Sequence, residues 1–153
     1  PSKAIDSAST ANTKITTTKE NERSYVKAIV NHAGMLPSTI THGIISCPRI
    51  KVYEMLKKFL NAKPEINRAL IFVNDPYKVE TVYQKLLSYG FIVAPLHGDS
   101  SKDDRKEIFT RLRDGRLRLV VTTELSARGL DIPDVTHVIN FELPTDALHY
   151  VHR

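Results

Sequence analysis

The sequence predicts an α/β fold: an open parallel sheet flanked by helices on both faces. Three observations predict it. Short runs of β-branched and large apolar residues recur at Arg68–Val73, Phe91–Pro95, Leu117–Val121 and His137–Phe141. Segments with apolar residues at helical spacing separate the earlier of these runs. The runs are apolar almost throughout, as strands buried on both faces must be. Alternation of strand and helix is the pattern of a parallel sheet.

The elements follow in order. Residues 1–24 are rich in Ser, Thr, Ala, Lys and Asn, with few large apolar groups. Such a stretch buries too little to offset its ordering entropy, so it reads as a flexible linker or tail. Residues 25–39 read as an extended arm or interdomain connection, with a short strand the alternative over 25–36, and 40–153 as the globular domain. Gly43–Cys47 reads as a strand that Pro48 ends. In Lys51–Asn61, Val52, Met55, Leu56, Phe59 and Leu60 share one helical face, the mark of a core-facing helix.

Asp75-Pro76 opens the next helix, since proline suits a first turn. Val79, Val82, Tyr83, Leu86 and Leu87 are its expected inward residues, and Gly90 its stop. Ser101 with Asp104 predicts a capped helix reaching Leu112, ended by Asp114-Gly115, with Ile108, Phe109 and Leu112 inward. Thr145 is the expected cap of a final helix carrying Leu148 and Val151.

Bulk properties bound the function. The chain has 153 residues, a 41% hydrophobic content and a net charge of +5, which suit one core and a polyanionic partner. Cys47 is the single cysteine, so neither an internal disulfide nor a cysteine zinc cluster can form. A reduced intracellular setting is the simpler expectation, with cytoplasm, nucleus and organelle not distinguished. No apolar run approaches the ~18 residues of a membrane span, so no membrane role is expected.

The chemistry concentrates at Val121–Pro133. A polar loop between two strands is where an open parallel sheet places ligands. Thr122 and Thr123 offer hydroxyls and amides to an oxyanion. Arg128 offers a planar fork for phosphate or carboxylate. Gly129 permits close backbone approach, and Asp131 can accept from ribose hydroxyls. The plain alternative is a strand end with a capped turn. Arg111, Arg113, Arg116 and Arg118 form a further basic cluster. A solvated helix face is its ordinary explanation, and RNA contact the alternative. His97 reads as a structural histidine, and no loop brings an acidic pair or second histidine to it, so no metal site is read.

Ala127–Val135, Val138–Pro144 and Tyr150-Val151-His152-Arg153 resemble the late motifs of DEAD-box RNA helicases. Ala69–Asp75 and Pro95–Asp99 resemble earlier motifs of the same domain, in the family's order. The likeness runs from about Ile40 to Arg153 and implies the C-terminal RecA-like domain of an ATP-dependent RNA helicase. It implies that Gly129 and Asp131 approach the nucleotide, and that Arg128, His152 and Arg153 serve contacts between domains. It further implies that Asn74, Gly98, Arg105, Thr122 and Thr123 lie near the RNA backbone. Asp75, Lys102 and Glu124 depart from the family's usual Thr or Ser, Gln and Asp.

The sequence has neither a Gly-x-x-x-x-Gly-Lys-Ser/Thr phosphate loop nor Asp-Glu-Ala-Asp. ATP with Mg2+ is therefore expected to be held mainly by an N-terminal RecA-like domain of the same protein. The chain also stops before the family's later arginines, so no complete catalytic set is expected in it, and no turnover by it alone. An RNA-clamping or RNP-remodelling module that does not unwind stays open as the alternative.

Overall fold

The computed structural model describes residues 13–20, 23–30, 39–128 and 135–153. The chain divides into two units, Pro1–Arg49 and Ile50–Arg153. In the first, β1 (Thr13–Glu20) and β2 (Arg23–Val30) pair antiparallel, and β2 pairs with the two-residue β3 (Ile44–Ile45). The linker reading gave this stretch no strand. Ile15 and three consecutive threonines, Thr16 to Thr18, are β-branched and favour extended backbone, which the polarity of the segment masked. β3 is shorter than the Gly43–Cys47 expectation and belongs to this antiparallel sheet, not to the parallel one.

The second unit holds β4 (Ala69–Val73), β5 (Val93–Leu96), β6 (Leu119–Thr123) and β7 (His137–Asn140), all parallel in the order β5-β6-β4-β7. Its helices are α1 (Val52–Ala62), α2 (Pro76–Ser88), α3 (Lys102–Arg113), the short α4 (Glu124–Ala127) and α5 (Ala147–His152). Ala69 pairs with Leu119 on one side and His137 on the other. Strand β4 thus lies between β6 and β7, buried on both faces.

Alternation along β4 and β6 makes two cores. Ala69, Ile71, Val73, Leu119 and Val121 face Leu56 and Leu60 of α1 and Val79, Val82 and Leu86 of α2. Leu70, Phe72 and Val120 face the other way, with Ala94, Leu96, Leu112 and Leu117, against Ile108 and Phe109 of α3. Helices therefore cover both faces, as the sequence predicts. Leu87 departs from the expectation. It is 46% exposed, because Val79, Val82 and Leu86 already fill the apolar stripe of α2 and Leu87 lies about 100° past Leu86.

The caps follow local chemistry. Asp75 caps α2 by accepting from the Tyr77 amide at 2.9 Å, with Pro76 in the first turn. Ser101 and Asp104 form a reciprocal capping box on α3. Gly90 and Gly115 take positive φ where α2 and α3 end. For α5 the cap is Asp146, which accepts from the His149 amide at 2.8 Å; Thr145, the expected cap, instead lies 3.5 Å from His149 Nδ1.

Arg118 enters between α1 and the sheet. Its Nε donates to the Ile66 carbonyl at 2.7 Å, and Nη2 to those of Leu60 at 2.7 Å and Lys63 at 3.1 Å. The guanidinium also lies 5.5 Å from the Phe91 ring centre. It thus satisfies carbonyls that the end of α1 leaves open.

Leu86→Ala should destabilise the domain by about 2–5 kcal/mol, the cost of a cavity in a packed core. Leu87→Ala, one position on, should stay within roughly 0.5 kcal/mol. Chemical denaturation of the two variants checks the inward face of α2; equal losses would contradict it.

Candidate nucleic-acid and nucleotide site

The site lies at the carboxyl ends of the four parallel strands, where Asn74, His97–Ser100, Thr123–Arg128 and Phe141–Leu143 leave the sheet. Parallel pairing brings these termini together, since Val73 sits opposite Thr123 and Leu96 opposite Thr122. Two polar groupings form there.

The first joins the β5 loop to the end of β6. Arg105, on the first turns of α3, donates from Nε to the Ser100 carbonyl at 3.0 Å and from Nη1 to that of Ser126 at 2.6 Å. Its Nη2 donates to the carbonyls of His97 at 3.2 Å and Gly98 at 2.8 Å. Guanidinium carries five N–H donors, so about one is left for anything else. The fork thus shapes the loop from within.

Thr122 and Thr123 are likewise turned inward. Thr122 is fully buried, and its hydroxyl donates to the Leu96 carbonyl at 3.1 Å. Thr123 caps α4: its Oγ1 accepts from the Ser126 amide and lies 2.9 Å from Ser126 Oγ. These hydroxyls are not available to an oxyanion as the sequence reading expects, because burial at the strand end forces each to find an internal partner.

Gly98 is different. It is exposed, and a Cβ there would meet only Ser126 Oγ, at 3.6 Å. The neighbouring amides are used up: His97 donates to Ser100 Oγ at 3.1 Å, and Ser100 to the His97 carbonyl at 3.3 Å. The amides of Gly98 and Asp99 donate to nothing among the described residues. The loop therefore offers backbone donors beside a residue with no side chain.

The second grouping centres on Glu124, whose side chain is 13% exposed. Arg128 Nη2 lies 2.9 Å from Oε1, His152 Nδ1 3.6 Å, and His149 Nε2 4.0 Å. Arg153 Nε lies 4.0 Å from Oε2. Its Nη1 donates to Asn140 Oδ1 at 3.1 Å and to the Glu142 carbonyl at 3.0 Å. Its Nη2 donates to Asn74 Oδ1 at 2.7 Å, and the guanidinium sits 5.3 Å from the Phe72 ring centre.

The Arg153 side chain is 5% exposed, and its Nε is buried without a hydrogen-bond partner. Burial pushes the Arg153 pKa down, and the Glu124 and Glu142 carboxylates oppose that shift. Enclosed in this way, the side chain ties α5 to β4 and β7. Arg128 and His152 remain 59% and 45% exposed on the rim.

Asn74 belongs to this second grouping, not to the loop of Gly98. Its amide donates to Glu142 Oε2 at 3.0 Å and its Nδ2 to the Leu143 carbonyl at 2.9 Å. Its side chain is spent inside the domain. Glu142 also pairs with Lys78. Gly129 and Asp131 lie outside the described residues. Among the described residues no cluster of three metal-ligating side chains occurs, and no helix is long and apolar enough to cross a membrane.

Residues 51–153 match the family described as helicase conserved C-terminal domain. The DEAD-box ATP-dependent RNA helicase CshC of Bacillus cereus is 33% identical over 116 residues, covering 76% of this chain and 29% of that protein. The solved DEAD-box protein SrmB of E. coli, bound to regulator of ribonuclease activity A, is 35% identical with a TM-score of 0.64, over 68% of this chain and 61% of that one. S. cerevisiae Dbp5 bound to RNA and ADP BeF3 is 34% identical with a TM-score of 0.58, over 68% and 28%. The chain belongs to the helicase C-terminal domain family, and its second unit is a C-terminal RecA-like domain of the DEAD-box kind. It spans under a third of the length of the curated relative.

Arg105→Ala should cost about 1.5–3 kcal/mol in stability, the worth of hydrogen bonds from a charged donor. Amide exchange should accelerate across His97–Ser100. Unchanged stability and exchange would show that the four carbonyls do not need the fork. Glu124→Ala leaves Arg153 buried without its facing carboxylate and should cost on the order of 3 kcal/mol. Protection of α5 amides should fall with it, and a loss confined to α4 would contradict the arrangement.

Proposed function

We propose that this chain supplies the second RecA-like domain of an ATP-dependent RNA helicase. It grips the RNA backbone at the β5 loop and completes an ATP site held mainly by a first domain. The observation that carries the reading is the exposed Gly98–Asp99 turn, with two unpartnered amides and, at Gly98, no side chain. Amides of this kind hold a phosphate without reading a base, which suits binding that is indifferent to sequence. Support also comes from relatives: CshC is named an ATP-dependent RNA helicase, and the Dbp5 structure contains RNA with ADP BeF3.

Each residue then has a definite part. Gly98 and Asp99 donate from the backbone to phosphate oxygens. Arg105 fixes the carbonyls of that loop so that the amides point outward, and Thr122, Thr123 and Ser126 brace the end of β6 behind it. On the nucleotide side, Asp131 accepts from ribose hydroxyls and Gly129 lets the backbone come close.

Arg128 and His152 stand on the rim, where a first domain would meet this one, and Glu124 and Arg153 set their positions. ATP with Mg2+, when bound, supplies the charge whose presence or loss drives domain closure. Because ATP and RNA would share one closed state, each would raise the other's affinity.

Gly98→Ala should leave the thermal midpoint unchanged, since the added methyl meets only ordinary contact at Ser126 Oγ. Its methyl would stand beside the phosphate, so affinity for single-stranded RNA should fall about tenfold, or ~1.4 kcal/mol. Anisotropy titrations on unrelated oligonucleotides check both the loss and the indifference to sequence. Retained affinity would remove the loop from the RNA site.

This chain alone should release no phosphate from ATP under saturating RNA. The full-length protein should do so, and Asp131→Ala in it should raise the ATP concentration needed for unwinding. ATP turnover without strand separation would favour a clamp.

A further inference from the structure

Helix α3 carries its charges in separate stripes. At about 100° per residue, Lys102, Lys106 and Arg113 fall within roughly 40° of one another. Asp103, Asp104 and Glu107 lie on another side of the same helix. All three cations are exposed, and neither lysine has an ion-pair partner among the described residues. The half-buried Phe109 lies beside the stripe, in the gap between Lys106 and Arg113.

The stripe connects two places. Its first turn is capped by Ser101, the residue directly after the His97–Ser100 loop. Its last turn opens on a hollow of about 420 Å³ at the opposite, amino-terminal end of the strands, lined by Arg68, Ile92, Arg113, Asp114 and Arg118. Asp114 is the one acid named there. It already faces Arg113 at 3.7 Å and Arg116 at 3.1 Å, so the region stays cationic. Ile92, 57% exposed, gives the hollow an apolar patch.

We propose that single-stranded RNA leaves the Gly98 loop and runs along the Lys102–Lys106–Arg113 stripe of α3 to the arginine-lined hollow. A clustered basic stripe on one helix face is the electrostatic footprint of such a partner. The helix is ~18 Å long, room for about five nucleotides at the ~3.4 Å rise of a stacked strand. Continuity with the loop favours RNA over an acidic protein segment. The inference rests on the RNA reading of that loop and extends it to a second, longer contact.

The test uses the full 153-residue chain with 6- and 15-nucleotide oligouridylates, followed by fluorescence anisotropy. The short oligonucleotide, about 20 Å at that rise, covers the loop and the nearer turns of α3, whereas the long one also reaches Arg113 and the hollow. K106Q with R113Q changes two exposed side chains and should leave the thermal midpoint in place. The double variant should lose about tenfold in affinity for the 15-mer. Its log–log salt slope should become shallower by about 1.4, at roughly 0.7 per phosphate contact. Affinity for the 6-mer, which reaches Lys106 but not Arg113, should fall by no more than about threefold. Equal loss on both oligonucleotides, or none on the 15-mer, overturns the stripe while leaving the loop in place. Failure of the wild-type chain to bind either overturns both readings. A polyglutamate peptide bound by the wild type and lost in the double variant, with RNA binding unaltered, would give the stripe to an acidic protein partner instead.

Discussion

The carboxylate of Glu124 is the constraint on which the β6–β4–β7 end of this domain depends. It stands at the end of β6, mostly out of water, with Arg128, His149, His152 and Arg153 turned towards it. A buried charge is costly unless paired, and each partner is costly to bury without it. Short helices such as α4 and α5 hold few hydrogen bonds of their own and take their place from packing and side-chain ties. The carboxylate therefore fixes where both helices sit. Arg153 carries the order further, through Asn74 at the end of β4 and Asn140 at the end of β7. Three strand ends are joined by two side chains.

The β5–β6 end is built by the opposite means. There the charged fork of Arg105 faces inward and is absorbed by carbonyls, while uncharged backbone is left outside. A long cation held out for phosphate would keep its rotamer freedom and lose it on binding. Amides on a loop already clamped from behind have little left to lose. Orientation is thus set before the ligand arrives, which lowers the cost of ordering on association. Thr122 and Thr123 contribute in the same sense: their hydroxyls hold the strand end, and the strand end holds the turn.

Much of this fold was legible in the sequence, and the reason is local. Strands β4 and β6 are apolar on both faces, α1 and α3 carry plain apolar stripes, and Ser101 with Asp104 or Asp75 with Pro76 announce helix starts within four residues. The gathering of the polar loops was legible too, since parallel strands send their loops to one end. What each site residue does there was not. Asn74 and Arg153 meet across 79 positions, and Arg105 meets Ser126 across 21. No periodicity encodes such ties. The i,i+4 spacing of Glu124 and Arg128 hinted at one pair but not at the histidines that join it. Leu87 and Thr145 were misjudged for a smaller reason: a neighbour one position away, Leu86 or Asp146, met the same need with better geometry.

The sheet therefore divides its carboxyl edge between two groupings. On the β5–β6 side charge is hidden and backbone is shown. On the β6–β4–β7 side charge is gathered round a carboxylate, leaving the rim arginine Arg128 beside the segment that carries Gly129 and Asp131. Strand β6 belongs to both, and α4 follows it directly, so Thr123 and Glu124 are adjacent residues with opposite allegiances. A shift at either one must be felt by the other through a single peptide bond. Tight packing beneath them, with Val120 and Val121 fully buried on opposite faces, resists bending between the two sites. The two groupings then have a short physical route between them: the first turn of α4, braced on one side by Ser126 and on the other by Arg153.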